Sequence, residues 1–292
     1  MFQNLSSQKK GSLMAFIAVM FITPDSLFIR LSSLETWGLV FYRGAIPFLV
    51  VLLGMLIIYR LNFFKLLIGN SIYGVFYIIT FSLTNITFVL SIQNTNVANT
   101  LVMIALAPML SAIFGTIFLK EKPDKNTIIA IIITFFSVLY IFYDSLKVGN
   151  FLGDILGFIT AAGLAAGATI IRAGKKVNLV PSAVVGKLVV GIVALFFIDS
   201  FELKNNDIYI IPAMCILCVA IPFVLVTIAP RYITAAEVNL FFLLETILGP
   251  IWVWLVIKEQ PSLETIQGGL VIILTIAIHS FMAIKKTQLK SN

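Results

Sequence analysis

One acidic residue stands deep inside the first long apolar segment of the chain. In the stretch "FITPDSLFIR", residues 21–30, Asp25 directly follows Pro24. At ~1.5 Å per helical residue, Asp25 lies roughly 18 Å from Leu13, where the apolar segment begins. A charge at the centre of a membrane helix costs about 2.5–3.5 kcal/mol, so it needs a partner, a cavity or a function. Asp25 therefore predicts either a contact for a cationic substrate or one side of a structural ion pair.

The neighbours of Asp25 bear on that choice. Pro24 cannot donate a hydrogen bond to the carbonyl of Met20, which predicts a free backbone acceptor for a ligand or water. Arg30 is five residues on and points roughly 140° away around a helix. Arg43 lies about 9 Å from the end of the second apolar segment and is expected to be the better partner of Asp25. Arg43 either contacts substrate or serves only this pair.

Two glutamates occupy a later apolar segment. Glu237 and Glu245 are eight residues apart and project within about 80° of each other on a helix, so both can face one cavity. Glu237 is close enough to the segment end to reach the membrane surface instead. Glu245 lies near mid-membrane, where it is either a packing or gating residue or, like Asp25, a candidate to carry a proton.

Polar and aromatic side chains recur at helical spacing in two further segments. Tyr77, Phe81 and Asn85 form one stripe, which predicts either packing or a wall of a binding site. Asn99 and Met103 lie on one face of the next segment, and buried amides such as Asn85 and Asn99 need partners. These residues complete the predicted substrate-binding set of Asp25, Arg43, Tyr77, Phe81, Asn85, Asn99, Met103, Glu237 and Glu245.

The composition shows what kind of protein must position these groups. The 292 residues are 60% hydrophobic and only 11% charged, with a mean hydropathy of +1.07. Soluble chains carry about 25% charged residues, so the composition indicates an all-α integral membrane protein. The net charge of +7 comes with no basic run interleaved with aromatics, which argues against nucleic-acid binding.

Ten segments are long and apolar enough to cross a bilayer: 13–32, 37–59, 69–90, 95–119, 126–144, 151–172, 182–199, 207–228, 233–257 and 263–284. Fourteen Lys and Arg fall on one side of this arrangement and three on the other. The positive-inside rule then predicts cytoplasmic N- and C-termini, in the inner or plasma membrane. Lys187, near the start of the seventh segment, is expected to extend to the membrane surface.

The second half of the sequence repeats the first at an offset of 138 residues. "SIQNTNVANTLVMIALAPMLSAIFGTIFLKEKP" (91–123) aligns with "APRYITAAEVNLFFLLETILGPIWVWLVIKEQP" (229–261), so that Lys120 aligns with Lys258. Because each repeat has five segments, the second copy must cross the membrane in the opposite sense. The sequence thus predicts two inverted five-helix repeats, 1–148 and 149–292, a plan that recurs in secondary transporters.

Both copies resemble the EamA family of the drug/metabolite transporter superfamily, whose repeat reads like "ALxxTSAANAxLLxxLxPLFxALLAxLFLGExLT". The resemblance implies a compact inverted-repeat bundle that moves small metabolites, often amino acids or their relatives and commonly outward. Two departures stand out: the second copy has Glu245-Thr246 where Glu-Pro is usual, and "ITPDS" replaces the "WGSNF"-like element of the first span.

These features favour a secondary active transporter that works by alternating access. Its expected substrate is an amino acid, an amine or a related zwitterionic or cationic compound. Export is favoured by the family, and proton coupling is a hypothesis. An importer of a cationic or zwitterionic nutrient and a lipid-carrier flippase are the alternatives, while an enzyme is not expected because the chain has a single His.

No cofactor is expected, and no P-loop motif indicates direct use of ATP. Cys215 and Cys218 lack polar flanks and further ligands, so they are read as packing residues without a metal. The expected partners are the small-molecule substrate and the lipid bilayer. Because each repeat supplies half a cavity, a monomer is sufficient, with a weak homodimer as the other expectation.

Overall fold

The computed structural model describes most of the chain, in these ranges: 7–60, 62, 65, 71–120, 125–148, 150–174, 176–204, 206–233, 238 and 241–291. Regular structure in these ranges is helical, and no strand occurs in them. The first half forms the helices α1 (Ser7–Ile22), α2 (Asp25–Leu31), α3 (Thr36–Tyr59), α4 (Ser71–Asn94), α5 (Val97–Ile104), α6 (Ala107–Leu119) and α7 (Lys125–Val148).

The second half follows the same plan. Its elements are α8 (Phe151–Ala173), α9 (Val180–Leu195), α10 (Asp207–Ala213), a π-helix (Met214–Ala220), α11 (Ile221–Ile228), a 3₁₀ turn (Ala229–Arg231), α12 (Leu243–Ile257) and α13 (Leu263–Ser291). The π-helix lies between Pro212 and Pro222. Pro222 has no N–H for the carbonyl four residues earlier, which disfavours regular α-helix there.

Within the described ranges, six helical runs are long and apolar enough to cross a membrane: Lys10–Leu31, Thr36–Ile58, Ile72–Asn94, Val97–Leu119, Phe151–Ala173 and Asp207–Arg231. Four shorter apolar helices occupy the remaining predicted positions: Ile128–Ile141, Val180–Leu195, Leu244–Ile257 and Leu263–Thr275. The exact count of ten spans, the side of the termini and the repeat boundary at 148 stay predictions.

The distribution of side chains is the reverse of that in a soluble protein. Large apolar residues face outward, as shown by Ile57 and Phe196, which are each 80% exposed. Charged residues such as Asp25, Lys187 and Glu245 are instead buried among the helices. A continuous apolar exterior suits contact with lipid, while the polar interior needs internal partners or a cavity.

The two halves interleave, and the main packing partners come one from each half. Helix α3 packs along α9, α4 along α8, α1 along α11, and α7 along α13. Helices α3 and α9 are equivalent segments of the two repeats, and so are α7 and α13. If the repeats are exchanged, α4 corresponds to α11 and α8 corresponds to α1, so the α4–α8 pair is equivalent to the α1–α11 pair. This packing is what two repeats related by a pseudo-two-fold axis produce.

Backbone details recur in the two copies of the repeat. Lys120 ends α6 and Lys258 ends α12, and both adopt the left-handed conformation, with φ of 57° and 60°. These residues are 138 positions apart, as the sequence alignment requires. The helix of the first copy is also interrupted between α5 and α6, at Ala105–Leu106. The helix of the second copy is interrupted at Phe242, which aligns with Ile104 in the repeat.

The α3–α9 crossing is close enough to require a glycine. A Cβ atom at Gly44 would lie 2.5 Å from the backbone nitrogen of Gly191 and 2.9 Å from the carbonyl oxygen of Lys187. Both neighbours are backbone atoms, so neither can move without shifting a helix. This contact fixes the position of the α9 turn that carries Lys187.

Gly44→Ala is therefore expected to lower the free energy of unfolding by about 1–3 kcal/mol, the usual cost of overpacking. Gly54→Ala is the matched control on the same helix, because a Cβ there meets nothing within 4 Å. The control should be neutral or gain up to about 1 kcal/mol from helix propensity. Thermal and denaturant unfolding of both variants in one detergent would check this, and equal shifts would contradict the close crossing.

Candidate functional site

A cavity of about 140 Å³ lies between the two halves. Its polar walls carry Asp25, Arg43 and Asn85 from the first half and Lys187 and Glu245 from the second. Aromatic and aliphatic side chains supply most of the remaining surface. Buried charges gathered around an otherwise apolar cavity are typical of a site that binds a small polar molecule.

Asp25 and Arg43 form a two-point ion pair in the cavity wall. Arg43 donates from its two terminal nitrogens to the two carboxylate oxygens of Asp25, at 2.5 and 2.7 Å. Both side chains are almost fully buried. The sequence-based expectation that Arg43 rather than Arg30 partners Asp25 agrees with this geometry. A role of either residue in substrate binding stays a prediction.

The break at Pro24 does not leave a free carbonyl, contrary to the expectation from the sequence. The hydroxyl of Thr23 donates to the carbonyl oxygen of Met20 at 3.1 Å and takes the place of the missing Pro24 N–H. The break instead positions Asp25 as the first residue of α2. The carboxylate therefore stands near the N-terminus of a short helix, a favourable place for negative charge.

Lys187 was wrongly expected to extend to the membrane surface. Its side chain is 1% exposed and lines the cavity, where its ammonium donates a hydrogen bond to Oδ1 of Asn85. The same nitrogen lies 5.4 Å from the ring centre of Phe81 and 5.8 Å from that of Phe223. The α3–α9 crossing at Gly44 directs Lys187 inward, and spacing along α9 alone could not show this.

Glu245 enters the cavity from the first turn of α12, directly after the break at Phe242. The residue is 3% exposed. No hydrogen bond or ion pair reaches its carboxylate from any residue in the described ranges. A buried carboxylate without a partner is costly, which indicates that a proton or a ligand compensates it.

The predicted stripe on α4 faces the cavity along its length. The hydroxyl of Tyr77 lies 3.0 Å from that of Thr227, and the rings of Tyr77 and Phe81 have centres 5.5 Å apart. Asn85 donates to the carbonyl of Phe81 at 2.7 Å, which orients its own carbonyl toward Lys187. The stripe thus forms the wall that holds the lysine.

Asn99 and Met103 lie outside this cavity. The amide of Asn99 is 3.3 Å from a carboxylate oxygen of Asp154 on α8, and its carbonyl accepts a hydrogen bond from the Thr265 hydroxyl. Met103 is fully buried and packs beside Gly157 of α8. Ile104, on another face of α5, is the residue of this helix that lines the cavity.

Glu237 lies outside the described residues, so its place beside Glu245 stays a prediction. Cys215 and Cys218 are buried free thiols, and Cys218 touches the cavity. In the described ranges, no group of three or more His, Cys, Asp and Glu side chains is arranged to hold a metal ion.

One end of the bundle, here called the Arg30 end, is closed by contacts between the halves. Nε of Arg30 lies 3.1 Å from one carboxylate oxygen of Glu259, and the other oxygen accepts a hydrogen bond from the backbone N–H of Val97 at 2.7 Å. The Ser33 hydroxyl donates to Asp207 at 2.5 Å. The Trp37 and Phe197 rings stack with centres 4.5 Å apart, and the Tyr42 hydroxyl donates to the carbonyl of Phe201.

The cavity extends toward the opposite end. Its lining includes Pro230 and Val238, which follow α11 near the end of the bundle where the Lys10 ammonium lies over the ring of Tyr232. The Arg30 end therefore carries polar and aromatic contacts between the halves, and the cavity extends away from that end.

A family model described as the EamA-like transporter family matches the chain twice, over residues 9–143 and 151–281. The chain belongs to the EamA-like transporter family. The two matches cover both halves of the bundle and agree with the internal repeat. A multi-pass membrane protein of the drug/metabolite transporter type follows from this membership, and the family is one of transporters rather than enzymes.

The comparison with solved structures finds chains that share this fold. Sixteen chains of solved structures match. One of them, described only as "Crystal structure of protein", superposes with a TM-score of 0.68 over 94% of this chain and 99% of its own, at 13% identity. At that identity the likeness concerns the fold alone. No curated protein matches the sequence.

Proposed function

We propose that this EamA-family protein is a secondary transporter that carries a small polar metabolite with an amino group through the cavity between its halves. The supporting observation is that both halves contribute buried charged side chains to one cavity. A site shared between repeats changes its exposure when the halves rock against each other. The inter-half contacts at the Arg30 end fit a state closed at that end.

The charges in the cavity favour an amino compound over a neutral one. Asp25 is already neutralised by Arg43, so it is a poor contact for a free cation. Glu245 is buried in the wall without a described partner and is the proposed site for the substrate ammonium. Amino acids and related amines fit this chemistry, with export across the inner membrane as the proposed direction.

A ligand screen on the purified protein tests the proposal. Amino acids, amines, betaines, nucleosides and neutral sugars would each be added in detergent, and the thermal unfolding midpoint measured. A ligand at 100 times its dissociation constant stabilises the folded state by about 2.7 kcal/mol. Compounds with an amino group should raise the midpoint, whereas sugars should not.

Counterflow in proteoliposomes then tests transport itself. Radiolabelled hits should accumulate in vesicles preloaded with the same unlabelled compound and not in protein-free vesicles. If no polar metabolite shifts the unfolding midpoint and none shows counterflow, the proposed function is wrong.

A further inference from the structure

Lys187 has a neutral hydrogen-bond partner in the cavity wall. A lysine ammonium has three N–H donors, and Asn85 accepts one of them. Among the described residues, no carboxylate forms an ion pair with Lys187, and the nearby acid Asp25 has both oxygens bonded to Arg43. In its protonated form, Lys187 therefore carries its charge in a largely apolar wall, where the neutral amide of Asn85 is its hydrogen-bond partner among the described residues.

Burying a charge without a compensating partner is unfavourable, and an anion that enters the cavity relieves the cost. Lys187 can form charge-assisted hydrogen bonds to such an anion with its remaining donors. Phe81 and Phe223 present their rings to the same nitrogen. These rings hold the ammonium weakly in place without using its donors.

We propose that Lys187 is an anion-binding residue of this cavity that holds the carboxylate of the transported molecule. The inference rests on the proposed function and extends it, because Lys187 and Glu245 together select a molecule with both an acidic and a basic group. Asn85 positions Lys187 by accepting one of its hydrogen bonds. Most of the remaining wall is apolar, which suits the body of such a molecule.

A ligand series tests the role of Lys187 directly. Leucine has both charged groups, leucinamide lacks the carboxylate, and 4-methylpentanoate lacks the amine. A hydrogen bond to a charged group is worth about 1.5–3 kcal/mol, so wild-type protein should bind leucine about tenfold to a hundredfold more tightly than leucinamide. Dissociation constants would be measured by calorimetry on the full chain in detergent.

Lys187→Met should weaken binding of leucine and 4-methylpentanoate about tenfold or more and leave leucinamide within about twofold. Lys204→Met removes the same charge from an exposed site and should leave the leucine to leucinamide ratio unchanged. If Lys187→Met keeps the wild-type ratio, the inference is wrong even though the transport function stands. Tighter binding of inorganic phosphate than of 4-methylpentanoate would assign phosphate instead of carboxylate.

Asn85→Asp provides a test that retains the lysine. The new carboxylate would neutralise Lys187 from within the protein, so the thermal midpoint should rise and the preference for leucine over leucinamide should disappear. An unchanged preference in this variant would overturn the inference. It would also be overturned if wild-type protein bound none of the three leucine compounds while the wider screen identified a transported metabolite without a carboxylate.

Discussion

Replacing Arg43 with Met is expected to lower the free energy of unfolding by about 3–5 kcal/mol, because the substitution leaves the Asp25 carboxylate buried without its partner. Both members of the pair are nearly inaccessible to solvent, and both carboxylate oxygens depend on Arg43. Asp25→Asn should also destabilise the protein, since it leaves the arginine charge uncompensated. Chemical unfolding in detergent measures each effect.

The double variant Asp25→Leu with Arg43→Met removes both charges together and so tests whether the two residues stabilise each other. Replacing a complete buried ion pair by apolar residues is often neutral or stabilising, so the double variant should recover most of the stability lost by either single one. Arg30→Met is a comparison variant, because Arg30 is 24% exposed in its contact with Glu259, and its loss should cost less than the loss of Arg43. Additive losses in the double variant would show that Asp25 and Arg43 do not pair.

The partner of Asp25 was predictable from the sequence, and the hydrogen bonds of the break beside it were not. The apolar length before it and the position of Arg43 along the next segment are properties of the sequence, and they led to the observed pair. The hydroxyl of Thr23 could also bond to the backbone or to solvent, and only the folded break shows that it satisfies Met20.

Lys187 shows the limit of reasoning from position along one helix. A lysine seven residues after the start of α9 is close enough to a membrane surface to extend there. Which way it turns depends on the crossing of α3 over α9 at Gly44, which joins residues about 140 positions apart. Helical spacing gives relative directions on one helix and does not identify the neighbouring helix.

Asn99 illustrates the same limit for a polar residue. The sequence correctly indicated that a buried amide needs partners, and the structure supplies Asp154 and Thr265 from the second half. The repeat could be predicted because it requires only the alignment of one half of the sequence with the other. It recurs in the backbone conformation of Lys120 and Lys258. Which residues line the cavity depends instead on contacts between the two halves, and an alignment of the halves does not give those contacts.

Glu245→Gln is expected to lower transport at least tenfold while leaving the unfolding midpoint equal to or above that of the wild type. The carboxylate has no described partner to lose, and a neutral amide is less costly to bury than an unpaired charge. The loss of transport follows because an ammonium group gains a charge-assisted bond to a carboxylate and not to an amide. Counterflow in proteoliposomes and thermal unfolding measure the two effects on one preparation.

Proton coupling gives the same substitution a second readout. Asp25 cannot take up a proton without weakening both of its bonds to Arg43, whereas Glu245 has no such bond to break. An imposed pH gradient should therefore change the rate of uptake into wild-type vesicles and leave the residual uptake of Glu245→Gln unaffected. Glu202→Gln, at an exposed position, should behave as the wild type. A full response to the gradient in Glu245→Gln would exclude Glu245 as the proton carrier, and a wild type without any response would refute coupling to protons.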